Sequence, residues 1–470
     1  MSSSVLNGGR SGSVILNPPG ELELPRGTGD ASGRPLVFFS RLLGPLLAGY
    51  LLFDKAFAYL RLPGTPLYVG EIVLVVGVFG SLAATGYLRV VIREEPIMTL
   101  LAAFFLLGII RFLPGVKAYG ITAIRDFALV YYCLFAFFIA AALAAAPDAL
   151  ERLVVQLIRF VPWLLIWLPL SVVFQALISH APHVPFSSVS VLDHKTGNAA
   201  IAALIALGAL WLFPDGRGAR SRAVWSTVAL LTIALAGTQN RGGLLGAAAG
   251  AIVGLAFMPN RRWLIVRAVS VMSIALALAL LLPLKIPAAG EQGRTFSVSQ
   301  LVSNVASIGG AHEAGNLAGT VSGRQQLWTM IYHKQVADGL LVEGYGFGPN
   351  VAFIAGGLAA EGNPADPLRS PHNSHLDVLA RMGLVGFSVW LALWVGWYWR
   401  VIVRGRRLAQ RGFHARRQVA VLCLMITTSI LVSSFFDPQL EGAQVAALLW
   451  TSFGVGVAVT SLGLPLNHRG

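Results

Sequence analysis

Charge is scarce in this 470-residue chain. Asp, Glu, Lys and Arg make up only 12% of it, whereas 56% is hydrophobic. A soluble domain carries charge on about a quarter of its residues, so that class is excluded, and the mean hydropathy of +0.70 agrees. Cysteine is nearly absent. The two present, Cys133 and Cys423, both fall inside hydrophobic runs, which leaves no disulfide framework and no thiolate metal motif. No aromatic and basic module of a nucleic-acid-binding fold occurs, so the net charge of +14 does not imply a nucleic-acid partner. Residues 1–34, rich in Ser, Gly and Pro, precede a hydrophobic run that lacks a small-residue cleavage site. They read as a disordered cytoplasmic tail, not a signal peptide. The halves of the chain show no internal repeat, and the polar groups gather at one face instead of mid-depth, which disfavours a secondary transporter.

What the chain has in abundance is hydrophobic runs near 20 residues long, enough to cross a hydrocarbon core of roughly 30 Å. About twelve are expected, near 36–58, 67–86, 96–113, 120–146, 153–179, 197–213, 222–238, 242–258, 263–283, 376–399, 415–435 and 442–463. They are too long and continuous for the strands of an outer-membrane barrel. The fold class is therefore all-α, a polytopic bundle of membrane helices. It divides into the tail 1–34, helices 1–9 over 35–283, a long interhelical loop 284–373, and helices 10–12 with a short tail over 374–470. Lys and Arg cluster in alternate loops, at Arg89 and Arg93, Arg217 to Arg222, Arg261 and Arg262, and Arg400 to Arg417. The positive-inside rule makes those loops cytoplasmic, with both termini, and sets the long loop outside.

Several segments of the outward side are candidates for chemistry. Ser322-Gly323-Arg324 opens a stretch with Trp328, Ile331, Tyr332 and Val336 at helical spacing, expected as an amphipathic surface helix. Gly344-Tyr345-Gly346-Phe347-Gly348 comes next, and its alternating glycines suit an irregular backbone close to another chain or a ligand. Pro371-His372-Asn373-Ser374-His375-Leu376 then places two imidazoles at the mouth of a span, where titratable groups are costly. Arg125 lies about one turn into the fourth span, and Arg241 occupies the hairpin Thr238-Gln239-Asn240-Arg241-Gly242-Gly243. Each has a plain structural alternative: Arg125 pairing with Asp126 or snorkelling, Arg241 as a hairpin anchor, His372 as a cap. Guanidiniums gathered near a histidine suit an anionic ligand such as a pyrophosphate-bearing lipid, because arginine binds phosphate through paired donors. The histidine would take a proton from an attacking hydroxyl, and the arginines would stabilise charge on the departing diphosphate. No paired aspartates at DxD spacing stand in the outer loops, and a diphosphate leaves readily, so the expected reaction needs neither metal nor other cofactor.

These segments resemble the O-antigen ligase and O-antigen polymerase superfamily of bacterial membrane glycosyltransferases. Gln239-Asn240-Arg241-Gly242 is similar to its Arg-Gly element. Ser322 to Trp328 with Gly344 to Gly348 resembles its "SGR, aromatic, GxGxG" loop, and His372 to Leu376 with Gly383 and Gly386 resembles its "HNxxL, then GxxG" element. Order and spacing agree over about residues 220–400. The resemblance implies a GT-C-like fold and an undecaprenyl-diphosphate-linked glycan donor. It also implies transfer to a lipid A core sugar at the periplasmic face of the inner membrane, among membrane lipids. By motif position it implies that His372 acts near the acceptor hydroxyl and that Arg241 and Arg324 hold the diphosphate. Arg125 carries over more loosely. Asn373 and His375 are expected as supporting residues. A polymerase joining lipid-linked repeat units, or a protein O-oligosaccharyltransferase, would use the same chemistry on a different acceptor.

Overall fold

In the computed structural model, residues 33–258 (with short gaps), scattered residues between 265 and 304, and residues 316–356 and 369–461 are described. The N-terminal tail as far as residue 32 and almost all of the expected span 263–283 lie outside the described residues. Among the described residues the regular structure is helical, apart from a two-residue antiparallel pairing of Ile286–Pro287 with Thr295–Phe296 and isolated bridges of Arg61 with Tyr68 and His183 with Ser190. In order the helices are α1 (Arg34–Ala58), α2 (Val69–Ala83), α3 (Thr85–Glu94), α4 (Pro96–Tyr119), α5 (Ile121–Asp126), α6 (Ala128–Tyr131), α7 (Leu134–Ala145), α8 (Asp148–Phe174), α9 (Thr196–Leu212), α10 (Ala219–Gly237), α11 (Arg241–Phe257), α12 (Asn316–Ala337), α13 (Val351–Ile354), α14 (Ser374–Gln410), α15 (His414–Ser433) and α16 (Ala443–Thr460).

Among the described residues six helices are long and apolar enough to cross a membrane, and two bent pairs raise the number to eight. The pairs, α2 with α3 and α5–α6 with α7, bend by 90° and 46°. Helices α9 and α11 are apolar but shorter. A helix thus stands at eleven of the twelve expected runs, while the segments that qualify as spans number six to eight. Most of the difference has two sources: α9 and α11 are only 17 residues long, and the runs at α2 and at α5–α7 pass as spans only when joined across bends of 90° and 46°.

Small residues set the packing that positions the outward loops. On α11, Gly242, Gly246, Gly250 and Gly254 recur every fourth residue and form one face. A Cβ at Gly246 would lie 2.4 Å from the Ser429 carbonyl oxygen, and one at Gly250 would lie 2.6 Å from that of Met425. Backbones this close are the usual way helices associate where no hydrophobic force separates them from lipid. The same face brings Gly242 against Phe436, so the start of α11 is pressed onto the loop after α15.

Helix α14 carries a break. Gly383 has φ 64°, ψ −170°, outside helical space. The amides and carbonyls released there are taken up by residues 341–346. Tyr345 and Gly346 donate their N–H groups to the carbonyls of Ala380 and Arg381 at 2.8 and 2.9 Å, and Leu384 donates to Leu341 at 2.9 Å. Glycine is required on both sides of this contact. A Cβ at Gly383 would sit 2.1 Å from the Val342 carbonyl oxygen, and one at Gly344 would sit 2.5 Å from the Arg381 backbone. The alternating glycines, whose spacing suits an approach to another chain or a ligand, instead approach the broken helix of the same chain.

Candidate functional site

The expected surface helix is α12. Its Leu327, Ile331 and Gln335, spaced by four, are buried, and the two apolar ones pack with Val351, Ala352 and Ala380. Tyr332 and Val336 are exposed. This docking places Arg324 against the loop between α15 and α16, and Trp328, one turn on, against the segment that leads into α14. Arg324 Nη1 donates to the Phe436 carbonyl at 2.7 Å. Trp328 Nε1 donates to the Pro371 carbonyl at 2.7 Å, fixing the chain immediately before His372.

His372 is half-buried with φ 53°, a left-handed conformation that costs a non-glycine residue about 1 kcal/mol. The next two residues hold it there. Asn373 caps α14, its Oδ1 accepting from the amides of His375 and Leu376 at 3.0 and 3.1 Å. The Ser374 amide donates to the Ser434 carbonyl at 2.8 Å. The second imidazole is engaged at both ring nitrogens. His375 Nε2 lies 2.9 Å from the Leu431 carbonyl, and Nδ1 accepts from Trp390 Nε1 at 3.1 Å, with Phe435 4.2 Å away ring to ring. The Leu431 carbonyl can only accept, and Trp390 can only donate, so the ring is the neutral Nε2-protonated tautomer.

The hairpin between α10 and α11 reaches the same loop. Asn240 caps α11 through Oδ1, which accepts from the Gly243 amide at 2.7 Å, and its Nδ2 donates to Asp437 Oδ2 at 3.2 Å. Asn304 donates to the carbonyls of Gly237 and Thr238, at 2.9 and 2.7 Å, tying the long loop to the hairpin. Half-buried Arg241 is the first residue of α11, a position where a cation opposes the helix dipole. The N-termini of α11 and α14 are thus both fastened to residues 434–437, together with Arg324. Two helix N-termini, with the segments bearing Arg241 and Arg324, therefore meet on a loop that also carries the Asp437 carboxylate.

Arg125 is exposed on α5. Its neighbour Asp126 turns inward, and Asp126 Oδ2 receives Arg381 Nη1 at 2.9 Å, Arg369 Nη2 at 3.0 Å and the Gly348 amide at 3.0 Å. Arg381 is fully buried and also meets both Asp377 oxygens through Nε at 3.1 Å. Glu441, half-buried on the loop before α16, adjoins Asp377 and Ser370; burial, and then the Asp377 charge, push its carboxyl up to about 8. A buried network of alternating charge thus lies behind the turn that bears His372.

The structure therefore brings the segments of Arg241, Arg324, His372 and Asn373 onto one loop, and it sets Arg125 apart on the exposed side of α5. Sequence reading missed that loop, with Phe436, Asp437 and Glu441, and it missed Asp126, Arg369, Asp377 and Arg381. One signal was available: Asp377 and Arg381 stand four apart at the start of an apolar span, where an unneeded charge pair is costly.

A multi-spanning helical membrane protein whose arginine- and histidine-bearing segments meet on one loop is the class these features define. Residues 226–391, about a third of the chain, match the family model described as O-antigen ligase, which places that region in the O-antigen ligase superfamily and points to a membrane glycosyltransferase of ligase or polymerase type. No curated protein matches the chain.

Proposed function

We propose that the protein is an O-antigen ligase-like glycosyltransferase that moves a glycan from undecaprenyl diphosphate to a lipid A core sugar. The reaction takes place at the periplasmic face of the inner membrane, with both termini cytoplasmic, twelve spans in a GT-C-like arrangement, and no metal required. The observation that carries this reading is the fastening of three motif segments to residues 434–437: Arg324 through Phe436, the Arg241 hairpin through Asp437, and the His372 turn through Ser434. The acceptor hydroxyl oxygen attacks the anomeric carbon of the donor sugar, and its proton passes to His372. The anomeric C–O bond to the diphosphate breaks, and its electron pair leaves with the phosphate oxygen. Arg241 and Arg324 meet the charge that grows there with paired donors, while Arg125, exposed on α5 away from that loop, is left without a part in this step.

The test is deletion of the gene followed by examination of carrier-linked and core-linked glycans. Long polymers stranded on the carrier are expected. Single repeats on the core would instead assign the polymerase reaction, and unchanged core glycans with an unglycosylated protein would assign protein O-glycosylation. In a reconstituted assay, His372→Ala is expected to abolish transfer while the protein remains folded and inserted; near-normal turnover would remove His372 from the role of base.

A further inference from the structure

Arg369 lies three residues before His372, and the intervening chain spans at most about 10 Å when extended. It differs from the other arginine of the buried network. Arg381 is spent: its side chain is 2% exposed and it serves Asp126 and both oxygens of Asp377. Arg369 has a side chain 39% exposed, and its bonds to Asp126 Oδ2 and to the Gly348 carbonyl, both 3.0 Å, leave from the same nitrogen, Nη2. The guanidinium is therefore held at one corner. Among the described residues Nε and Nη1 carry no hydrogen bond, and with 39% of the side chain exposed they leave a fork that suits a planar or tetrahedral oxyanion.

The charge balance points the same way. Asp126 shares one oxygen between two arginines and an amide, so Arg381 and the Gly348 N–H still satisfy it when Arg369 swings away. A ligand phosphoryl group would offer Arg369 a doubly charged, bidentate partner in place of one shared oxygen.

Resting on the glycosyltransferase reading above, we propose that Arg369 is a further substrate-binding residue, a latch that passes from Asp126 to a phosphoryl group of the substrate when the site fills. That phosphoryl group belongs either to the lipid diphosphate of the donor or to a phosphate substituent on the acceptor sugar.

The experiment measures binding to the full-length detergent-solubilised protein with two probes, a synthetic polyprenyl diphosphate and a hexose phosphate. Wild type is compared with Arg369→Gln, Arg369→Lys and Arg324→Lys. Loss of one charge-assisted bidentate contact is expected to weaken binding about tenfold in Arg369→Gln, with partial recovery in Arg369→Lys. Weakening on the diphosphate assigns the latch to the donor, and weakening on the hexose phosphate assigns it to the acceptor. If Arg324→Lys loses affinity while both Arg369 variants bind each probe as wild type does, the latch is overturned and the glycosyltransferase reading stands. If wild type binds neither probe, both are overturned. Thermal unfolding of Arg369→Gln within a degree or two of wild type separates lost contact from lost fold; should that variant be unstable, Arg369→Lys, which keeps the charge on Asp126, carries the comparison.

Discussion

Asp126 and Arg381 meet at 2.9 Å across 255 positions of sequence, joining the short helix after Gly120 to the broken helix that begins beside His372. Because Arg381 is buried between Asp126 and Asp377, removing it leaves Asp377 without its cation and Asp126 paired with Arg369 alone. Arg381→Ala is expected to destabilise the protein by about 3–5 kcal/mol, the cost of an uncompensated buried charge. Glu343 offers the contrast: it pairs with Arg111 at 3.2 Å but is 69% exposed, and Glu343→Gln is expected to change stability by less than about 1 kcal/mol. Denaturant unfolding of both variants in detergent checks the difference, and equal effects would contradict it.

The break at Gly383 gives a second prediction. Its positive φ disfavours any side chain, and a Cβ there would overlap the Val342 carbonyl at 2.1 Å. Gly383→Ala is expected to cost about 2–4 kcal/mol, from strain together with lost bonds between the break and residues 341–346. Gly216, where φ is 72° with open space around it, isolates the conformational part and is expected to cost about 1 kcal/mol as Gly216→Ala. Thermal unfolding of the pair measures whether the contact matters beyond φ.

The parts of this site that sequence made visible are those marked by backbone demands or capping chemistry. Gly344 to Gly348 announced a close approach, although not that its partner would be the helix break thirty-odd residues on. Asn373 beside an apolar run announced a cap. Arg125 and Asp126 show where such reading stops. They are adjacent, and a cation near a span end drew attention, yet Asp126 is the one that faces inward, since the phase of a six-residue helix entered through Gly120 at φ 55° is not set by any apolar periodicity. Phe436 takes part through its carbonyl, which no side-chain pattern can mark. Asp437 and Glu441 lie in a short loop whose role arises only when three distant segments land on it. The helix count was limited in a similar way: apolar length is legible, whereas a 90° bend after Ala83 is not.

The two histidines of the motif are expected to separate under mutation. His375 is tied at both ring nitrogens, to Leu431 and Trp390, so His375→Ala leaves a buried carbonyl and a buried indole N–H unsatisfied. The cost is about 2–6 kcal/mol, at 1–3 kcal/mol for each of the two stranded groups. Transfer by the folded fraction should persist at a reduced rate. His372→Ala leaves a Cβ on the same left-handed backbone and removes only a half-buried ring, so its stability should stay within about 1 kcal/mol of wild type while transfer is lost. Unfolding and activity measured on the same preparations decide this. A His375 variant that is stable but inactive would reverse the assignment of support and chemistry.

Glu441 supplies a pH signature. Burial and the neighbouring Asp377 charge raise its carboxyl from an ordinary 4.5 to about 8, so between those values the folded protein holds a proton that the unfolded chain has released. Stability falls with rising pH wherever the native state binds more protons, so this contribution favours the fold fully below about pH 4.5 and is lost progressively up to about pH 8. Glu441→Gln keeps the shape and the neutral hydrogen-bonding form but cannot ionise. The difference in unfolding temperature between Glu441→Gln and wild type should therefore grow in favour of the variant from pH 5 to pH 8 and level off above. Groups remote from Glu441 titrate equally in both proteins and cancel in the comparison, whereas the adjoining Asp377 carboxyl responds to the substitution and belongs to the signal. A difference that stays flat across that window would mean that Glu441 is already ionised in the folded protein, which would leave the loop before α16 facing Asp377 with like charge.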